Sequence, residues 1–333
     1  MPPGAANYQS VLLAEERDLI GRPASAGQGA ALQGRFEEGI SLIGKLPRNF
    51  ANTAVRAIAE GRRPTTQRGR LTMSDIITEQ SGGVLRVELN RPARKNAMTG
   101  EMYVTLADAF TQAANEEAVR VVPWHGAGGD FSAGNDIGEF LKGMPASGEI
   151  PQGRLMEALI AFDKPIVAAV QGAAIGGGTT MLTHCDFVYA GESAKFQMPF
   201  VNLGLVPEFG SSFSVPSNIG HLRAAELILL GDPFTATRAM ELGLVTQVVG
   251  DRDVFATAAA TAQKLAAKPS GALRASKRLM KQAAIGPLRQ AVRVENEVFV
   301  ERLGSAEAKE AFSAFLEKRP PNFARPPAVA ATH

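Results

Sequence analysis

Cysteine is nearly absent from this chain of 333 residues: Cys185 stands alone, so no disulfide framework can be built. Four histidines beside one thiol make a multi-ligand zinc site an unpromising reading. A single thiol fits a reducing compartment, and the cytoplasm is the expected location. Charge of one sign is lacking too. The 35 Lys and Arg against 33 Asp and Glu leave +2, which makes no electrostatic case for nucleic acid as a partner. No apolar run reaches the roughly 18–20 residues that a membrane span needs. The first residues, "MPPGAANYQSVLLAEERDLIG", have no basic stretch ahead of an apolar core, so no secretory signal is expected. Glu15, Glu16, Asp18, Glu37 and Glu38 break the acid-poor composition of a transit peptide, and "AVAATH" is not a peroxisomal tripeptide.

The residues present describe an ordinary globular protein, 45% hydrophobic and 20% charged, long enough for one large domain or two. The first 72 residues stand apart. They hold ten Lys and Arg against six Asp and Glu, and "GRRPTTQRGR" (61–70) reads as a basic linker. Phe36, Ile40 and Ile43 predict a short amphipathic helix over 33–46. Met73 opens a natural beginning for a folded domain, so 1–72 is expected to be an extension, either a true tail or sequence ahead of a start at Met73. Beyond it a folded core is expected over 73–265, a helical region over 266–323 and a tail over 324–333. Within the core, "VLRVEL" (84–89), "VRVVPWHG" (119–126), "KPIVAAVQG" (164–172) and "DFVYAG" (186–191) predict strands. Pro123 predicts an edge or irregular position for the second of these. "TGEMYVTLADAFTQAANE" (99–116) predicts a helix, and beyond residue 215 the chain reads as largely helical. The class is α/β.

Three stretches could carry chemistry. "GDFSAGNDIGEF" (129–140) is either a plain glycine-rich turn or a loop whose small residues let a ligand approach the backbone, with Asp136 capping the next helix. "AAIGGGTTML" (173–182) puts three glycines at the head of a helix, either for tight packing or to bare its first N–H groups. It is not a phosphate loop, because Thr179-Thr180 stands where Lys-Ser/Thr would be. "FQMPFVNLGLVPEFGSS" (196–212) carries one carboxylate, Glu208, in an apolar setting, either solvated or held dry. Together they suit one reaction type: two backbone donors hold an oxyanion while one acid moves protons beside it.

"LNRPARKNAM", "FSAGNDI", "KPIVAAVQGAAIGGG", "CDFVYAGESAKFQMPFVNLGLVPEFGSS", "ELGLVTQVV" and "EAFSAFLEKRPPNF" occur in that order over about 76–323. In them the chain resembles the enoyl-CoA hydratase/isomerase (crotonase) superfamily. The resemblance implies a spiral of ββα units with C-terminal helices, acyl-CoA thioester substrates, and a homotrimer or hexamer. It implies no metal and no cofactor, coenzyme A being part of the substrate. It places the oxyanion donors on the backbone N–H groups of Asn135 and Gly177. The backbone at Ala133 and Gly134 would meet CoA beside Asp136, and Lys95 (or Arg94) and Lys318 would meet its polar groups.

Hydratases of this superfamily carry two glutamates that hold water. Here the corresponding positions are Thr180 and Phe200, neither able to act as a strong base. Glu208 stands instead where the resembling Δ3,Δ2-enoyl-CoA isomerases keep their only base. The expected activity is therefore a 3-enoyl-CoA to trans-2-enoyl-CoA shift, as in β-oxidation. Two alternatives stay open: a ring-type isomerase of phenylacetate-like breakdown, which would carry Asp in place of Glu208, and a catalytically silent acyl-CoA binder. His184 and Cys185 are expected to be core packing.

Overall fold

The computed structural model describes residues 74–140 and 150–324. The extension 1–72, its helix at 33–46, and all but Ala324 of the tail 324–333 lie outside those residues. A six-stranded sheet runs in the order β1 (Ile76–Ser81), β2 (Val84–Leu89), β3 (Val122–Gly126), β4 (Ile166–Val170), β6 (Phe187–Gly191) and β9 (Gln247–Val249). In this sheet only β1 and β2 pair antiparallel, joined through Gly82 and Gly83, both at positive φ as a tight hairpin turn requires. The parallel strands need long crossovers, and these hold the helices. A second, three-stranded sheet pairs β7 (Lys195–Gln197) with β5 (Ala173–Ile175) and β8 (Phe234–Thr235).

The chain twice steps from the large sheet to the small one and then into a helix. It runs β4, β5, α3 (Gly177–Thr180), then β6, β7 and, past a 3-10 turn, α4 (Ser211–Ile219). That is the ββα repeat expected of the fold.

The core follows from the apolar spacing. α1 (Gly100–Asn115) is capped by the Thr99 hydroxyl, which accepts the Met102 N–H at 3.2 Å. It buries Met102, Leu106, Phe110 and Ala113 on one face. Phe110 meets Trp124 and Phe162 edge-on at 5.4 and 5.3 Å between ring centroids. Each such pair adds about 0.5–1.5 kcal/mol beyond the area it buries. α2 (Pro151–Ala161) lies beside α1. α5 (Val254–Ala266) covers the opposite face with Val254, Ala258 and Ala262 against Val121, Val167 and Tyr189. With both faces covered, the β4 residues are all buried, which is why "IVAAV" is an unbroken apolar run.

Pro123 takes the irregular position rather than the edge: it lies in a central strand, in register with Val167 of β4, where the pairing with β2 is interrupted. The β2–β3 pairing consists of an isolated bridge at Val84–Val121 and resumes at Val87–Trp124, so the missing N–H falls in the gap. The strand itself begins at Val122, later than 119. The C-terminal third also holds strands β8 and β9, the latter closing the large sheet beside Tyr189. At two and three residues they are too short to display alternation. The helical region starts at Ser270: α6 (Ser270–Leu303) runs unbroken past Pro287, and α7 (Ala306–Leu316) succeeds it. Buried Lys277 ties α6 to the sheet, its ammonium 2.6 Å from Asp186 Oδ2 and 2.7 Å from the Lys164 carbonyl.

Candidate active site

The loop after β2 is built first. Lys95 and Asn96 both take left-handed backbone (φ 50° and 55°), an uncommon state that Asn tolerates best. The Asn96 side chain holds the turn, accepting the Arg91 N–H at 2.8 Å and donating to the carbonyls of Ala127 and Asp130. Ser132 Oγ donates to the Asn96 carbonyl and accepts the Gly134 N–H, while the Ala133 N–H donates to the Lys95 carbonyl at 2.9 Å. The motifs "RKN" and "SAGN" are thereby one structure. It places the Lys95 backbone against Ala133, with the Lys95 side chain exposed.

Asn135 forms a bridge with Met98 in which Met98 donates to Gly134 and accepts from Asp136. The Asn135 N–H therefore points away from that ladder. Across from it, Gly176 (φ 54°) turns β5 into α3, and Gly177 is the first helical residue, whose N–H has no intrahelical acceptor. The two loops touch: a Cβ placed on Gly134 would meet the Gly177 nitrogen at 3.5 Å. The structure brings Ala133, Gly134, Asn135 and Gly177 together. Asp136 caps the adjoining turn, accepting the Gly138 N–H at 2.9 Å and pairing with Arg91 at 2.7 Å. Burial alone would raise its carboxyl, but the Arg91 guanidinium and the Gly138 N–H hold it below the usual range. Lys318 is not brought there by this chain; it is exposed, and its N–H caps α7 on the Phe315 carbonyl.

Glu208 is 3% exposed and faces Gly177; a Cβ there would stand 2.8 Å from Glu208 Oε1 and 3.2 Å from the Tyr103 hydroxyl. It is not a solvated loop residue. Asn135 Nδ2 donates to Glu208 Oε1 at 3.0 Å. In this orientation Asn135 Oδ1 accepts the Tyr103 hydroxyl at 2.6 Å and Gln152 Nε2 at 3.3 Å. Burial pushes the Glu208 pKa up to about 8, the Asn135 amide opposing and the Glu295 charge adding. Burial, and after it the Glu208 charge, likewise pushes the Tyr103 phenol up. The group is a carboxyl poised to hold or release a proton near neutral pH.

The two remaining positions hold no acid. The Thr180 hydroxyl, fully buried, turns onto the Gly176 carbonyl at 3.4 Å. Phe200 is buried, with its ring edge 4.0 Å from where a Gly176 Cβ would stand. His184 is buried and contacts the Phe209 carbonyl at 2.8 Å through Nε2. Burial lowers its pKa to about 4, so it stays neutral and donates. The Cys185 thiol is pushed up by burial and is inert at neutral pH. Among the described residues no His, Cys, Asp and Glu cluster could hold a metal ion, and no helix is long and apolar enough to cross a membrane.

Sequence reasoning missed Tyr103, Gln152 and the side-chain role of Asn135, since all three depend on contacts between α1, α2 and the loop after β3. It also missed Glu295. Here a signal existed: Leu288, Val292, Glu295 and Phe299 fall on one helical stripe, and an acid inside an apolar stripe asks for a partner.

Residues 79–326 match the family model described as enoyl-CoA hydratase/isomerase. The chain is 34% identical over 262 residues to 1,2-epoxyphenylacetyl-CoA isomerase of Escherichia coli (strain K12), covering 75% of this chain and 98% of that one. It is 35% identical to enoyl-CoA delta isomerase 2 of Rattus norvegicus, over 74% of this chain and 64% of that one. Relatives named as hydratases match at 32% and 36% identity. The crystal structure of an enoyl-CoA hydratase/isomerase from Pseudoalteromonas atlantica T6c superposes with a TM-score of 0.73. It is 38% identical, with 75% of this chain and all of that chain covered.

Proposed function

This chain belongs to the enoyl-CoA hydratase/isomerase family, and we propose that within it the protein is a Δ3,Δ2-enoyl-CoA isomerase. The observation that carries the reading is Glu208: a buried carboxyl against Gly177, with Thr180 and Phe200 where a hydratase would keep its acids. A 3-enoyl-CoA binds with its thioester oxygen on the N–H groups of Asn135 and Gly177. Glu208 takes a C2 proton, and the C–H electrons move into a dienolate whose oxygen charge those donors hold. The same carboxyl then returns the proton to C4, the double bond settles between C2 and C3, and the acid regains its starting state. Atoms and charge balance with no further reactant.

A dry pocket suits this step, because the ionised Glu208 loses hydration and gains basicity toward a carbon acid. Ala133, Gly134 and Lys95 are assigned to CoA. Lys318 would reach it only from a neighbouring copy in a homotrimer or hexamer. The exposed Leu279, Met280, Phe315 and Leu316 support such self-association. The reading extends to β-oxidation in the cytoplasm.

The test compares trans-3-hexenoyl-CoA isomerisation with crotonyl-CoA hydration. Isomerisation is expected to be at least about a hundredfold faster, the scale of one missing acid–base group. Hydration faster than isomerisation sinks the proposal. The relative named 1,2-epoxyphenylacetyl-CoA isomerase favours a second reading, a ring-containing CoA thioester, so such a substrate forms the third arm.

A further inference from the structure

Glu208 sits in a turn that its own sequence does not stabilise. Phe209 (φ 62°) and Gly210 (φ 70°) are consecutive left-handed residues, a conformation that glycine adopts freely and that is unfavourable for Phe209. Something must hold it. Across the turn stands Glu295, from the C-terminal third of α6 and 5% exposed. Its Oε2 accepts the Gly210 N–H at 2.6 Å and its Oε1 accepts the Ser212 N–H at 2.7 Å. His184 takes the Phe209 carbonyl from the other side, and the Ser211 N–H closes on the Glu208 carbonyl at 3.2 Å. Leu288 and Val292, on the same stripe of α6, close over Gly210, where a Cβ would meet Leu288 Cδ1 at 2.3 Å.

We propose that Glu295 is a positioning residue for the acid chemistry of this site, its carboxylate clamping the Phe209–Gly210 turn that carries Glu208. This rests on the isomerase reading only in the choice of substrate. Burial pushes the Glu295 pKa up, and against it the Ser212 hydroxyl and the Ser212 and Gly210 N–H groups favour its charged form. Its charge in turn raises Glu208. The other titratable groups at the turn are the Tyr103 phenol and His184, which burial keeps neutral and whose pKa the Lys281 and Lys277 charges lower further. A stabilising cation would make Glu208 a weaker base; the Glu295 charge does the opposite.

The variants are Glu295→Gln, which keeps the length but loses the charge, and Glu295→Asp, which keeps the charge but loses reach. For Glu295→Gln, kcat on trans-3-hexenoyl-CoA is expected to fall about tenfold or more with KM within about threefold. Activity rises with pH as Glu208 ionises, and this limb is expected to move to lower pH by at least ~0.5 unit. Glu295→Asp is expected to keep the limb in place while losing rate. A purely structural role would lower stability and leave the limb unmoved. The limb is also read without turnover, from the carboxyl titration in protein labelled with 13C-glutamate, the Glu208 signal being assigned by its loss in Glu208→Gln. A protein inactive on the 3-enoyl-CoA whose Glu208 titration still moves in Glu295→Gln overturns the isomerase reading and leaves the clamp standing. An active protein with the titration unmoved and kcat within about twofold of wild type overturns the clamp. If Glu295→Gln does not fold, Glu295→Asp decides, and an unchanged kcat there overturns it.

Discussion

Glu208→Gln is expected to lower kcat for the 3-enoyl-CoA shift about a thousandfold, with KM within about threefold of wild type. The substitution keeps volume and one acceptor oxygen, so Asn135 Nδ2 can still donate across the same 3.0 Å. Among the described residues it removes the one carboxyl against Gly177, the group proposed to take a proton from carbon and return it. The two proposed backbone donors survive, so binding is expected to survive. Isomerisation within about tenfold of wild type would mean that the proton travels by another route. The same variant has a second signature, in stability. With a folded pKa raised from 4.5 to about 8, Glu208 keeps a proton in the fold that the unfolded chain has already released. Stability therefore falls as pH rises through that window and levels off above it. Glutamine removes the dependence. The Tm of Glu208→Gln is expected to exceed wild type by several degrees at about pH 8.5 and to converge with it near about pH 4.5, as differential scanning calorimetry would measure. Equal Tm values at both ends would show that Glu208 is not desolvated.

Much of this site could be read from the chain because its parts are backbone features with small-residue signatures. A loop that exposes an N–H needs glycine or alanine beside it, and "SAGN" and "GGG" display that directly. The acid was legible for a different reason, as one charge in an apolar stretch. Side chains that act across elements leave no local trace. Tyr103 fits the apolar stripe of α1 and reads as core, and its hydroxyl acquires meaning only when Asn135 stands 2.6 Å away. Gln152 opens α2 far from either motif. The strands show the same division. β4 announced itself as a buried apolar run, whereas β9 exists because the edge of β6 was open to it. Pro123 left edge and irregular position both open, because a missing N–H does not say which neighbour it would have faced.

Gly177→Ala and Gly178→Ala are expected to separate catalysis from packing in two adjacent residues. Neither position has the left-handed backbone that would exclude alanine, so each outcome depends on what the methyl meets. At Gly177 it meets Glu208 Oε1 at 2.8 Å, the far end of a flexible side chain. The carboxyl can swing away at modest cost in stability, losing the Asn135 bond and its aim. The methyl then crowds the N–H proposed to hold the thioester oxygen. Losing one oxyanion donor costs about a hundred- to a thousandfold in kcat, and a misaimed base adds to it. A kcat at least about a hundredfold lower is expected, with Tm within about 3 °C of wild type. At Gly178 the methyl meets the Ser132 carbonyl oxygen at 2.5 Å and Ser132 Cβ at 3.1 Å, which are backbone and its root. That loop is fixed by Asn96 and the β5 pairing, so it cannot yield without losing hydrogen bonds. Overpacking of this kind costs about 1–3 kcal/mol and, in a domain of this size, roughly 2–4 °C per kcal/mol. Gly178→Ala is therefore the variant with the larger fall in Tm, and Gly177→Ala the one with the larger fall in kcat. Steady-state kinetics and thermal unfolding of the pair give the answer. A Gly177→Ala protein that folds and turns over within about threefold of wild type would remove Gly177 from the oxyanion site.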